Sequence, residues 1–244
     1  MTYKLFAEFV AVFSATFVAG TLLCLPIYAW NWRKFFGSKL WLKVRWWIPI
    51  FTVFCLVLWL GKLAAWLVFL SLGMLALREF SRQAAQQSKF ALLFILLFLI
   101  SLLGLPLFFY VFPNQCIPIL ISICYASAIS DVCAFFMGTY MGRHHLPAFI
   151  NDRKSYEGVA GQVGGAVLGL AIISLLPEIS FSWTLAVTIG VGSAVGDICN
   201  SIAKRNLNIK DWGNTIPGHG GVLDRFASLA FALGGGFVLA LLSR

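Results

Sequence analysis

The residues best suited to chemistry crowd into one stretch, K-D-W-G-N-T-I-P-G-H-G-G-V-L-D-R, from Lys210 to Arg225, and into the run just before it. That run, G-S-A-V-G-D-I-C-N-S-I-A-K-R, sets Asp197, Asn200, Ser201 and Lys204 at i, i+3, i+4 and i+7, one face of a helix. Pro217, Gly218, His219, Gly220 and Gly221 cannot stay helical, and such glycines let backbone N–H groups approach an anion closely. Lys204, Arg205, Lys210 and Arg225 supply cations, while Asp197 and Asp224 supply hard oxygen ligands. Carboxylates among cations and free amides suit a divalent metal with phosphates, because Mg2+ typically takes one or two carboxylates and fills its shell from water and substrate phosphates. The stretch predicts phosphate chemistry.

Two aspartates stand where the surrounding residues are apolar. Asp131 lies in S-A-I-S-D-V-C-A-F-F-M-G, and Asp197 in the run already described. An ionisable group inside a membrane span costs at least about 2.5 kcal/mol, so each needs a reason to be there. Hydrogen bonding between helices is the plain reason. The Lys204–Arg205 pair ending the stripe and the polar loop directly after it favour a functional one. A third patch, N-D-R-K-S-Y-E-G from Asn151 to Gly158, reads by itself as a solvated turn.

These residues need positioning by a chain that is 60% hydrophobic and only 11% charged, with a mean hydropathy of +0.89 over 244 residues. A soluble domain carries about 25% charged residues, so the bilayer is the natural solvent here. The 23 phenylalanines and nine tryptophans suit lipid-facing and interfacial positions. Apolar runs near 9–30, 47–61, 63–77, 90–111, 117–142, 160–176, 182–203 and 226–243 predict an all-α polytopic membrane protein with about eight transmembrane helices. The first run follows Lys4 and Glu8 and has no A-x-A-like site, so it reads as a retained helix. Gly104 and Pro106 interrupt the fourth run. The six cysteines lie in or beside apolar runs with no C-x-x-C pair, which predicts buried thiols in place of a disulfide framework or zinc site.

If the chain changes sides at each span, the segments 31–46, 78–89, 143–159 and 203–225 share one side and hold fifteen of the eighteen lysines and arginines. The positive-inside rule then puts these segments, and with them the polar site, in the cytoplasm. A basic face beside an anionic leaflet accounts for the net charge of +9 without nucleic acid. The segment W-N-W-R-K-F-F-G-S-K-L-W-L-K-V-R-W-W, residues 30–47, reads as an interfacial anchor, with a collar gathering anionic lipid as the compatible sharper reading.

The segment S-I-A-K-R-N-L-N-I-K-D-W-G-N-T-I-P-G-H-G-G-V-L-D-R, residues 201–225, closely resembles the signature of phosphatidate cytidylyltransferases, the CDP-diacylglycerol synthases. G-D at 196–197, K-S-Y-E-G at 154–158 and S-D-V-C-A-F-F-M-G at 130–138 are similar to further motifs of that family. The resemblance covers residues 117–244, which suggests N-terminal transmembrane helices over 1–112 and a catalytic domain over 113–244. It implies that CTP and phosphatidic acid give CDP-diacylglycerol and pyrophosphate, in the bacterial inner membrane and from a possible homodimer. Asp197 and Asp224 would hold Mg2+, with a second cation possible. Lys204, Arg205, His219 and Arg225 would be catalytic by binding phosphates and the leaving pyrophosphate, His219 as a proton donor or as a hydrogen-bonding loop residue. Asp131, Lys154, Ser155 and Glu157 would serve substrate binding, as would Asn200, Ser201, Lys210 and Asp211. The amides of Gly218, Gly220 and Gly221 complete the set. The sequence departs from the pattern at two acids, which are Asn200 and Ala227 here. Position 227 lies about 300° round a helix from 224, roughly the same face, so Ala227 removes a carboxylate near the expected metal. The departures leave room for a related lipid phosphate as substrate, or for a homologue that binds without turnover. A transporter fits less well, since a pore needs polar residues through the full thickness.

Overall fold

In hydrocarbon no water is available to backbone N–H and C=O groups, so long apolar runs must satisfy them internally as helices. A computed structural model of the chain describes residues 3–28, 30–83, 88–151, 154–216 and 220–244. Its helices are α1 (Tyr3–Cys24), α2 (Trp32–Phe36), α3 (Lys39–Arg45), α4 (Trp47–Leu60), α5 (Lys62–Gln83), α6 (Lys89–Leu102), α7 (Gly104–Val111), α8 (Cys116–Tyr140), α9 (Tyr156–Ile173), α10 (Trp183–Asn206) and α11 (Val222–Leu242). Among the described residues the only extended pairing is two isolated bridges, His145 with Ser155 and Ile216 with Gly220. Among the described residues, eight helical stretches are long and apolar enough to cross a membrane: Tyr3–Cys24, Leu40–Leu60, Lys62–Gln83, Lys89–Val111, Cys116–Tyr140, Tyr156–Ile173, Trp183–Asn206 and Val222–Leu242. The protein is an all-α, multi-pass membrane protein.

Local chemistry sets the helix ends. Ser88, Ser155 and Ser182 cap α6, α9 and α10 by accepting from the N–H groups of Ala91, Gly158 and Leu185. Gly104 and Pro106 do not end the fourth span; the helix breaks at Leu103 and restarts, with Pro106 in the first turn, where a missing N–H costs little. The basic, Trp-rich segment 30–47 divides into the short helix α2 and the start of the second span.

Backbones approach most closely between α8 and α9. Gly161, Gly165 and Gly169 face α8, and a Cβ at Gly165 would stand 2.6 Å from the Cys133 Cβ and 2.9 Å from the Ser130 Cα. Small residues at four-residue spacing let two helices in lipid gain contact that bulkier ones would block. α10 lies as close to α11, where Gly196 abuts the Ala227 carbonyl. Three apolar clusters result among the described residues. The largest joins Phe9, Leu58, Phe108, Leu120, Leu170 and Ile189; the second joins Phe94 and Phe98 of α6 to Ala203, Trp212, Leu223 and Ala227; the smallest joins Cys24, Leu25 and Phe35.

Contacts at the two ends agree with a chain that reverses at each span. At one end Lys62 lies 4.7 Å over the Tyr110 ring and Arg244 lies 5.8 Å over Phe112. At the other, the C-terminal parts of α5, α8 and α10 meet the N-terminal parts of α9 and α11, and the polar residues gather there.

Candidate functional site

Lys154 enters the site from the loop before α9. Leu146 N–H donates to the Lys154 carbonyl at 2.8 Å and Tyr156 N–H to the His144 carbonyl at 2.9 Å, which closes the loop and holds residue 154 at its mouth. The Lys154 ammonium lies 3.2 Å from Asp197 Oδ2 and donates to the Asp197 carbonyl at 3.2 Å. Gln162, two turns into α9, donates through Nε2 to Asp197 Oδ2 at 3.0 Å and to Asp131 Oδ1 at 3.4 Å. Ser228 of α11 donates to Asp131 Oδ2 at 3.0 Å, and Ser130 fixes the Gln162 backbone by donating to its carbonyl at 2.7 Å. Two aspartates from different helices therefore share one amide, and four helices converge on them.

A second cluster lies nearer the end of the bundle. Lys204 donates to Asp224 Oδ1 at 2.6 Å, with the two side chains 16% and 6% exposed. Asp224 Oδ2 accepts from Trp212 N–H at 2.8 Å and from Gly221 N–H at 2.9 Å, so this carboxylate both caps α11 and anchors the signature loop. Asn200 accepts from the Trp212 indole at 2.7 Å. Gly220 has φ +86, a left-handed conformation open to glycine, and a Cβ there would press on the Asp224 carboxylate.

Of the expected residues, Asp131, Lys154 and Asp197 are brought together, and Lys204, Asp224, Asn200, Gly220 and Gly221 form the second cluster. Arg225 lines a cavity together with Asp131, its guanidinium 5.7 Å from the Trp47 ring centroid. Ser155 is the cap of α9, Ser201 is buried, and Arg205 donates to the Ile209 carbonyl at 3.4 Å. Glu157 turns outward, 2.6 Å from His144 Nδ1. Lys210 and Asp211 are exposed. Gly218 and His219 lie outside the described residues, as do Asp152 and Arg153. Ala227 is not open to the polar clusters: it is fully buried with Leu223, Ala203, Phe94 and Trp212. The 60° left over from three helical steps carries it onto the apolar side of α11.

Three contributors had no place in the sequence reading. Glu79 of α5 is 2% exposed and accepts from Thr215 Oγ1 at 2.6 Å, Val222 N–H at 2.8 Å and Leu223 N–H at 3.1 Å. In sequence it stands in R-E-F-S-R and looks like a charge at the wet end of a span. Gln162 carried a usable signal, since an amide inside an apolar run needs a partner as much as Asp131 does. Ser228 is one of many small polar residues and carried none.

Mg2+ suits Asp197. Among the described residues its Oδ1 has no hydrogen-bond partner, and its side chain is 30% exposed. Asp224 has both oxygens engaged, and meets a cation only by releasing Lys204.

The model of the cytidylyltransferase family matches residues 81–242 of this chain, starting well before the segment that carries the motifs. Among curated proteins, the phosphatidate cytidylyltransferase of Bacillus subtilis is 36% identical over 108 residues, 43% of this chain and 40% of the relative. The protein of that name from a Synechocystis strain is 36% identical over 110 residues, 42% of this chain and 36% of the relative. One from Staphylococcus epidermidis is 32% identical over 109 residues, 43% of this chain and 42% of the relative. The matched part thus spans about two-fifths of these relatives' length. With the family model extending over most of its length, this chain belongs to the cytidylyltransferase family.

Proposed function

We propose that the protein transfers a cytidylyl group from CTP to phosphatidic acid, giving CDP-diacylglycerol and pyrophosphate for phospholipid synthesis, at a site facing the cytoplasm of a bacterial inner membrane. The observation that carries this reading is the pairing of Lys154 with Asp197 and of Lys204 with Asp224 at one end of the bundle, beside the glycine loop. Cations and carboxylates already matched in the absence of phosphates can re-partner when a triphosphate arrives. The names of the similar proteins support the choice of nucleotide and lipid.

The lipid phosphate oxygen attacks the α-phosphorus of CTP, forming one P–O bond as the bond to pyrophosphate breaks. The attacking phosphate is already an anion, so no general base is needed. The protein's work is orientation and charge neutralisation. Lys204 and Arg205, with the Gly220 amide and His219, bind the triphosphate, while the Gly221 amide holds Asp224 and Lys154 steadies the reacting phosphates. Asp197, with Asp224 as second carboxylate, would hold Mg2+, which would supply neutralisation of the triphosphate charge. A second cation and a homodimer remain what the resemblance implies.

Asn200, which stands where the family pattern has an acid and lies in the second cluster, favours a second reading, in which a related lipid phosphate replaces phosphatidic acid. Purified protein with labelled CTP, Mg2+ and either phosphatidic acid or other lipid phosphates distinguishes the two. Labelled CDP-diacylglycerol supports the first. Product with another lipid phosphate alone supports the second, and no product from any of them rejects cytidylyl transfer.

A further inference from the structure

A cavity of about 320 Å³ opens between α1, α4 and α8, lined by Phe13 and Gly20, Trp47 and Phe51, and Ala128 and Phe135. Its walls present carbon. The α1 threonines turn back on their own helix, Thr16 donating to the Val12 carbonyl at 2.9 Å and Thr21 to the Phe17 carbonyl at 2.8 Å. Arg225 and Asp131 stand on the wall, Asp131 between Ala128 and Phe135 along α8. Asp131 is already engaged by Gln162 and Ser228.

Arg225 is different from the other cations of the site. Lys154 and Lys204 each have an aspartate, whereas the Arg225 Nε is buried with no hydrogen-bond partner. Among the described residues no carboxylate lies within 4.0 Å of its guanidinium, whose neighbour is the Trp47 ring. A buried Nε without a partner is costly, and the guanidinium's fork of donors matches a phosphate. The stacking on Trp47 satisfies its face and leaves the N–H edge for a ligand.

We infer that this cleft binds an anionic lipid, with an acyl chain between α1, α4 and α8 and the lipid phosphate on Arg225. The assignment rests on the lipid-phosphate chemistry proposed above and says which residues hold the lipid. A cation on the wall of a mostly apolar slot is complementary to an amphiphile, and a free phosphate would leave the slot unfilled. Along α8 the wall from Cys124 to Phe136 is about 18 Å long at 1.5 Å per residue, and Asp131 divides it, leaving about 10 Å on the Cys124 side for an acyl segment. Two of the three walls, α1 and α4, precede residue 81 and lie outside the family match, so chain-length preference is set by the part of this protein that the match does not cover.

The test uses the full chain in nanodiscs with a phosphatidic acid carrying a photoactivatable diazirine near the end of one acyl chain, and adducts mapped by peptide mass spectrometry. Adducts should concentrate on cleft residues such as Phe13 and Phe51. A Cβ at Gly20 meets nothing within 4 Å, so Gly20→Trp adds bulk in open space and should cut labelling several-fold. Gly20→Leu should cut it less. Arg225→Gln should lower labelling to that of a diacylglycerol probe without phosphate. Dioctanoyl phosphatidic acid should compete, and inorganic phosphate should not. Adducts spread over outward-facing residues such as Val18, Leu63 and Leu70 would overturn the assignment. So would unchanged labelling in a folded Gly20→Trp protein, or competition by inorganic phosphate equal to that of the lipid. Labelling needs no CTP, so cleft labelling without cytidylyl transfer would reject the proposed reaction and leave the lipid site standing.

Discussion

At the scale of single residues, the two aspartates assigned to the metal have different surroundings and should fail differently. Asp197 is partly exposed with one oxygen free, so Asp197→Asn should lower turnover by about a hundredfold or more with little change in stability. Asp224 is the buried partner of Lys204 and the cap of α11. Its replacement by Asn should cost activity and also about 3–5 kcal/mol of stability, as breaking a buried pair does. Mg2+ titrations of both variants beside thermal unfolding separate the roles; equal melting temperatures would refute the difference. Glu79 accepts three hydrogen bonds with a carboxylate, and an amide has one oxygen to offer. Glu79→Gln should raise the KM for CTP and speed proteolysis in the 213–221 loop, although position 79 lies far from the signature in sequence. Unchanged loop proteolysis would reject the clamp. Ala227→Asp would set a carboxylate among Leu223, Phe94 and Trp212, so it should lower both stability and activity. Restored or raised activity in that variant would return position 227 to the metal site.

At the scale of elements, site geometry depends on how closely α9 approaches α8. Gln162 reaches both aspartates because Gly161, Gly165 and Gly169 leave no side chain between these helices. Gly165→Leu should push them apart at a cost of about 1–3 kcal/mol. It should also abolish turnover, because the shared amide would no longer span Asp131 and Asp197. The comparison is Gly164→Leu, whose Cβ meets nothing within 4 Å and which should leave the site intact. Equal activity in the two variants would show that close approach is not what holds the site.

At the scale of the whole molecule, eight spans in alternation bring the basic segments and both polar clusters to one end. With the native cysteines replaced, cysteines at the exposed positions His145 and Asn214 should react with a membrane-impermeant reagent only from the cytoplasmic side, and one at Ser180 only from outside. Labelling of positions 145 and 214 from outside intact cells would reverse the orientation. The sequence by itself determined the solvent and the helices and marked the candidate site: apolar runs without internal water must be helical, and acids, cations and glycines at fixed short spacings belong to one strip of chain. It also carried Asp197, Lys204 and Asp224, because they lie within 28 residues of one another. The tertiary structure alone decided which groups meet. Glu79 and Gln162 join the site across 136 and 35 residues of chain, through helix contacts that no local spacing encodes. It also decided which side of α11 each residue takes, since Ala227 and Asp224 differ by a fraction of a turn and only packing on α6 and α10 makes that fraction the boundary between core and site.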